Sequence, residues 1–243
     1  MSFCDPKPVR VSNLPDPDDL PPPSWRRLGE AAWLWSRAWR GFGHLGPRGP
    51  EDGPPAIVIP GFIANDRTVM ELRRALAEAG WRVHAWNCGW NMGARSDTVE
   101  RLKARLDAIS PGAPLLVVGW SLGGVFAREL ARTHPDRVSA VVTLGSPFSG
   151  DPKANNVWRL YEWVAGHPVD APPIPRIADK PPVPTLAIWS RNDGIIAPNA
   201  ARGLAHESDR AVEMNCNHMA FGVSRRTARA VVREIDTFLK TVP

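Results

Sequence analysis

Between residues 56 and 239, short apolar runs alternate with helix-spaced segments, and that alternation restricts the chain to few architectures. The runs are "AIVIP", "WRVHAW", "PLLVVG", "RVSAVVTLG", "PTLAIWS" and "RAVEM". Most are too short for buried helices and too continuously apolar for strands with one wet face. Between them, apolar residues recur at three- and four-residue steps over 66–79 (Val69, Leu72, Leu76, Ala79), Thr98–Ile109, Leu122–Thr133 and 224–239. The pattern predicts an α/β fold, a roughly six-stranded, mostly parallel sheet with crossover helices on both faces.

A length of 243 residues suits one α/β unit. The expected division is an N-terminal extension over 1–55 and a main domain over 56–243, with a lid-like insertion at about 150–183. In the extension, Ser24 caps a helix to about Phe42 whose Trp25, Leu28, Ala32, Trp35, Trp39 and Phe42 share one face. That face could pack on the domain, shield a groove or lie on a membrane surface. The insertion is proline-rich apart from "NNVWRLYEWVAG", which carries Val157, Trp158, Leu160, Tyr161, Trp163 and Val164 almost all round. Such a helix exposes apolar surface unless it covers something, so lid and docked excursion both stay open.

No run of about 18 apolar residues could cross a membrane. Residues 1–23 lack the basic start and apolar centre of a secretory signal, so a cytoplasmic location is expected, with peripheral membrane contact through 25–42 the exception. The net charge of +5 is spread without a long basic run, which argues against a nucleic-acid partner. Cys4, Cys88 and Cys216 are too few and scattered for a disulfide framework or zinc cluster.

One stretch carries chemistry. In "LLVVGWSLGG" an apolar run breaks at Gly119, offers Ser121 and continues into a helix pattern with Val125, Phe126 and Leu130. Gly-x-Ser-x-Gly between strand and helix is the setting of a nucleophile elbow, whose tight turn leaves no room for side chains at the glycines. The helix behind it aims unpaired N–H groups at developing negative charge.

The segments "VIPGF", "GWSLGG", "LGSPFSG", "SRNDGII" and "NHM" together resemble the α/β-hydrolase superfamily, in particular its bacterial lipase- and esterase-like members. The resemblance covers about residues 56–239 and implies that the two leading strands of larger members are missing, leaving six. It also implies an acid and then a histidine after the serine. His218 follows the last strand-like run and precedes the closing helix, where the resemblance places the base. His134, His167 and His206 occupy a helix end, the insertion and another probable helix end. Asp193 directly follows the strand "TLAIWS" and can orient the imidazole, unlike Asp170, Asp179 and Asp209, which follow no strong strand.

The resemblance further implies two main-chain donors for an oxyanion, the N–H groups of Leu122 and Phe62. The chain departs from the family's frequent His-Gly pair by carrying Pro60 before Gly61. Asn65 and Asp66 are expected to cap the following helix, with lining the site as the alternative. Trp90 and Met92 in "WNCGWNMG", with Trp158 and Tyr161 in the insertion, are candidate walls for an apolar substrate. The chain has no P-loop, dinucleotide fingerprint or metal-ligand spacing, so no cofactor or metal is implied. The implied activity is hydrolysis of small-molecule or lipid esters with hydrophobic groups. Acyl transfer or amide cleavage on the same residues, and a non-catalytic binding protein, are the alternatives.

Overall fold

A computed structural model describes residues 16–26, 30 and 46–242. Six strands form one parallel sheet: β1 (Pro55–Ile59), β2 (Arg82–Ala85), β3 (Leu115–Trp120), β4 (Val138–Leu144), β5 (Thr185–Trp189) and β6 (Arg210–Glu213). Their order is β2-β1-β3-β4-β5-β6. The intervening helices are α1 (Met70–Glu78), α2 (Thr98–Ile109), α3 (Leu122–Thr133), α4 (Trp158–Ala165), α5 (Pro198–Arg202), α6 (His218–Val223) and α7 (Arg225–Leu239).

The strands are apolar at consecutive positions because both faces of the sheet are covered. On β1, Ala56 and Val58 join one core layer with Leu72 and Leu76 of α1 and Val231 and Ile235 of α7. Ile57 and Ile59 point the other way, into a layer with Leu102 and Leu106 of α2 and Phe126 and Leu130 of α3. The closing helix shows how its sequence sets its position. Ser224 caps it by accepting from the Thr227 N–H at 3.3 Å, and Ala228, Val231, Val232, Ile235 and Phe238 form its buried stripe. Truncating Phe238 would cost about 3–5 kcal/mol in lost burial and cavity formation.

Two local expectations change. Helix formation begins at Met70 and not at 66, because the Asp66 carboxylate is engaged elsewhere. Its two oxygens accept from the Trp86 N–H at 2.8 Å and the Asn87 N–H at 3.1 Å, satisfying the chain as it leaves β2. In addition, the chain after β6 turns into α6 before the closing helix begins.

The aromatic face expected over 24–42 lies mostly outside the described residues, of which Trp25 is exposed and Glu30 buried. No helix among the described residues is long and apolar enough to cross a membrane.

The strand order positions the site. From β1 the chain crosses to β2 on one side, then returns past β1 to β3 on the other. The loops leaving β1 and β3 therefore diverge and open a crevice at the carboxyl edge of the sheet, where ligands bind in such folds. Phe62 follows β1 there, and Ser121 follows β3.

Candidate active site

Ser121 takes φ 53° and ψ −125° between β3 and α3, a conformation that costs a non-glycine residue about 1–3 kcal/mol unless its surroundings impose it. They do so by close approach. A Cβ at Gly119 would stand 2.4 Å from the Gly123 carbonyl oxygen, and one at Gly123 would stand 2.3 Å from the Ile59 carbonyl oxygen. The spacing of the motif thus follows from a helix start pressed against β1 and β3.

The imidazole of His218 is the nearest partner of Asp193: Nδ1 and Oδ2 are 2.7 Å apart, with both side chains buried. The other oxygen of Asp193 accepts from the N–H groups of Ile195 and Ile196, each at 2.8 Å, which fixes the carboxylate plane. Burial opposes charge on His218, but the Asp193 and Glu30 carboxylates outweigh it and hold the imidazole above its ordinary 6.5. Trp120, the residue before Ser121, links the histidine to the elbow. Its indole N–H donates to the His218 carbonyl at 3.2 Å, and the two rings lie 5.6 Å apart. The Ser121 hydroxyl makes no hydrogen bond among the described residues.

The N–H groups of Phe62 and Leu122 likewise have no acceptor among the described residues. The loop of Phe62 is held by Asn91, which sequence reasoning missed. Asn91 accepts through its carbonyl from the Ile63 N–H at 2.7 Å, and its own N–H reaches the Ala64 carbonyl at 2.8 Å. Its side-chain amide donates to the Pro60 carbonyl at 2.8 Å. The clamp holds Ile63 at φ 50°, which a β-branched residue adopts only when forced. Only its place in a loop leaving β2 at the carboxyl edge hinted at this role.

Ser121 and Leu122 line an apolar pocket of about 80 Å³ with Phe62, Val157, Trp158 and Tyr161. The insertion therefore supplies one wall. Tyr161 packs its ring 5.2 Å from that of Phe62 and accepts from the Ala94 N–H at 3.2 Å. Arg128, stacked over Phe148, ties the end of the insertion down by donating to the carbonyls of Asp179 at 3.1 Å and Glu207 at 2.9 Å. Trp90 and Met92 are half-exposed and line a separate depression of about 230 Å³ with Cys88, Arg95 and Arg101. The two hollows share Phe126.

Of the remaining histidines, His167 lies against Tyr161 at 3.4 Å, and His206 is exposed. His134 is partly buried, its Nδ1 2.9 Å from the Thr133 hydroxyl. Among the described residues no group of three or more His, Cys, Asp or Glu side chains could hold a metal ion.

A family model described as alpha/beta hydrolase fold matches residues 54–170. Over 58 residues the chain is 40% identical to the pimeloyl-[acyl-carrier protein] methyl ester esterase of Salmonella heidelberg. It is 38% identical over 58 residues to the biotin biosynthesis bifunctional protein BioHC of Teredinibacter turnerae. Each match takes in 24% of this chain, and the chain spans only 22% and 10% of those two relatives. The crystal structure of carboxylesterase CesB from Bacillus subtilis superposes with a TM-score of 0.58 at 16% identity. That superposition covers 90% of this chain and 99% of the other. The residues matched by the family model run from the start of β1 through the elbow and into the insertion, and the chain has the α/β-hydrolase fold.

Proposed function

We propose that this chain is a serine hydrolase that cleaves carboxylic esters bearing hydrophobic groups. The observation that carries the reading is the buried 2.7 Å contact between His218 Nδ1 and Asp193 Oδ2, in a histidine whose carbonyl accepts from Trp120, the neighbour of the strained Ser121. A serine hydroxyl is inert until a base takes its proton. His218 Nε2, with the other nitrogen held by Asp193, is the base at hand, and its hydrogen bond to Ser121 closes when substrate is bound.

Ser121 Oγ attacks the ester carbonyl carbon as its proton passes to His218. The carbonyl oxygen, now negative, accepts from the N–H groups of Phe62 and Leu122, each worth about 2.7–4 kcal/mol where such donors have been removed elsewhere. The imidazolium then protonates the departing alcohol and leaves an acyl group on Ser121. A water activated by His218 releases the acid and restores the hydroxyl. The apolar pocket, with Trp158 and Tyr161 of the insertion, accommodates the hydrophobic part of the ester. Asp193 orients the imidazole and favours its charged form in the transition state.

Hydrolysis of p-nitrophenyl esters of graded chain length, with Ser121→Ala beside wild type, tests the proposal. Wild type should turn over and Ser121→Ala should fall to background. Equal rates would end the assignment, and turnover of an anilide in preference to the ester would favour amide cleavage.

A further inference from the structure

Glu30 lies in the leading segment, far in sequence from the triad candidates, yet its carboxylate is buried between the two loops that carry Asp193 and His218. Oε1 accepts from the Gly194 N–H at 3.0 Å and from the His218 N–H at 2.8 Å. Oε2 accepts from the Met219 N–H at 2.9 Å. All three donors are neutral main-chain groups, and no lysine or arginine among the described residues forms an ion pair with this carboxylate. Burying a charge without a countercharge is costly, and only the strength of charge-assisted hydrogen bonds offsets it.

The approach is close enough to need a glycine. A Cβ on Gly194 would stand 2.9 Å from the Arg26 carbonyl oxygen and 3.0 Å from Glu30 Oε1. Other contacts fasten the same segment to the loop of Asp193. Asp18 pairs with Arg191 at 2.8 Å, and the Asn156 amide bridges the carbonyls of Pro22 at 2.8 Å and Gly194 at 2.9 Å. The Asn199 amide donates to Asp19 at 2.9 Å.

We propose that Glu30 is a positioning residue for ester hydrolysis: its carboxylate ties the loop of Asp193 to the start of the helix of His218 and keeps acid and base in register. The inference rests on the Ser121, His218 and Asp193 reading above. The titratable groups that act on the imidazole among the described residues are Asp193 from the loop after β5 and Glu30 from the leading segment; Cys216, in the loop after β6, feels the same two carboxylates. Burial and the two carboxylates push the Cys216 thiol up to about 12, so it stays neutral in the working range. Glu30 therefore supplies both a mechanical tie and part of the field that favours the imidazolium.

The test uses the full chain. Glu30→Gln keeps the shape but turns one acceptor oxygen into an N–H donor facing a main-chain N–H. A fall in kcat of about 10- to 100-fold is expected, with KM within about threefold, the scale of one charge-assisted hydrogen bond. The acid limb of kcat/KM should move to lower pH, because a negative neighbour of His218 is gone. Wild-type kcat, or a lowered kcat with an unmoved acid limb, overturns the proposal. Where Glu30→Gln fails to fold, Glu30→Asp keeps the charge and withdraws it by one methylene. Its kcat should fall while the acid limb stays, and wild-type kcat there also overturns the proposal. Ser121→Ala in the same assays separates the two levels. Full activity in that variant removes the triad reading and this inference with it. Its loss, with wild-type behaviour in the Glu30 variant, removes the inference alone.

Discussion

Gly145, the residue directly after β4, faces the ring of His218: a Cβ placed on it would stand 3.1 Å from Nδ1 and 3.0 Å from Asp193 Oδ2. Its φ of 53° is itself one that side chains resist. The imidazole and carboxylate are both buried and already in a 2.7 Å contact, so neither can give way cheaply. Gly145→Ala is expected to lower stability by about 1–2 kcal/mol through the backbone strain. It should also lower kcat by about tenfold as the pair is displaced, with KM nearly unchanged. Thermal unfolding and steady-state kinetics on one ester check both, and an unaltered kcat would show that the pair tolerates displacement.

The charge on His218 sets a pH dependence. The proposed mechanism needs the neutral imidazole in the free enzyme, and despite burial Asp193 and Glu30 hold the pKa of His218 above the ordinary 6.5. The acid limb of kcat/KM should therefore lie above pH 6.5. In Asp193→Asn the limb should move to lower pH, and kcat should fall by roughly 10³- to 10⁴-fold, since the wrong tautomer is then favoured. A pH profile on both proteins decides it. A wild-type limb below 6.5 contradicts the electrostatics described here.

Much of the architecture was legible because burial on both faces writes itself into consecutive apolar residues, as in β3, where all six positions are buried. The elbow was legible because glycines on both sides of Ser121 reflect contacts between elements adjacent in sequence. Asp193 and His218 follow neighbouring strands, β5 and β6, so strand position put them at the same edge and the family resemblance gave their order. What the sequence concealed were long-range polar contacts. Glu30 lies off the aromatic face by which its segment is read, and its partners lie 164 to 189 positions away. Asp66 has the look of a helix cap, and its partners are instead 20 and 21 residues on, at the end of β2. Periodicity reports which face is apolar and is silent on which distant N–H a carboxylate will meet. Trp90 and Met92 show a related limit. Following a strand at the correct edge does not decide which of two adjoining hollows a side chain lines.

The insertion should govern chain-length preference. Trp158 and Tyr161 both line the pocket of Ser121, but only Tyr161 also holds the loop after β2 through its hydroxyl. Trp158→Ala is expected to raise KM for long-chain esters about tenfold, from lost apolar contact, and to leave acetate esters nearly unaffected. Tyr161→Phe keeps the wall and strands the buried Ala94 N–H, so it should cost about 1–3 kcal/mol of stability with chain-length preference intact. Michaelis constants across a chain-length series separate the two variants. Equal responses to acetate and long-chain esters in Trp158→Ala would place the acyl group elsewhere.

A last prediction concerns the far side of the sheet from β6. His84 on the edge strand β2 is buried, and burial together with Arg105, Arg82 and Arg73 lowers its imidazole to about 4. Folding therefore favours the neutral ring. In the unfolded chain the same group takes up its proton near 6.5, so the contribution to stability is full above that pH and declines as pH falls toward 4. The loss should approach roughly 3 kcal/mol at the low end, and it adds to the loss from protonating paired carboxylates. Substituting His84→Asn removes the titrating group and should flatten the fall in unfolding free energy between pH 6.5 and 4, as measured by urea denaturation at stepped pH. Identical slopes in the two proteins over that interval would mean that His84 titrates alike in the folded and unfolded states.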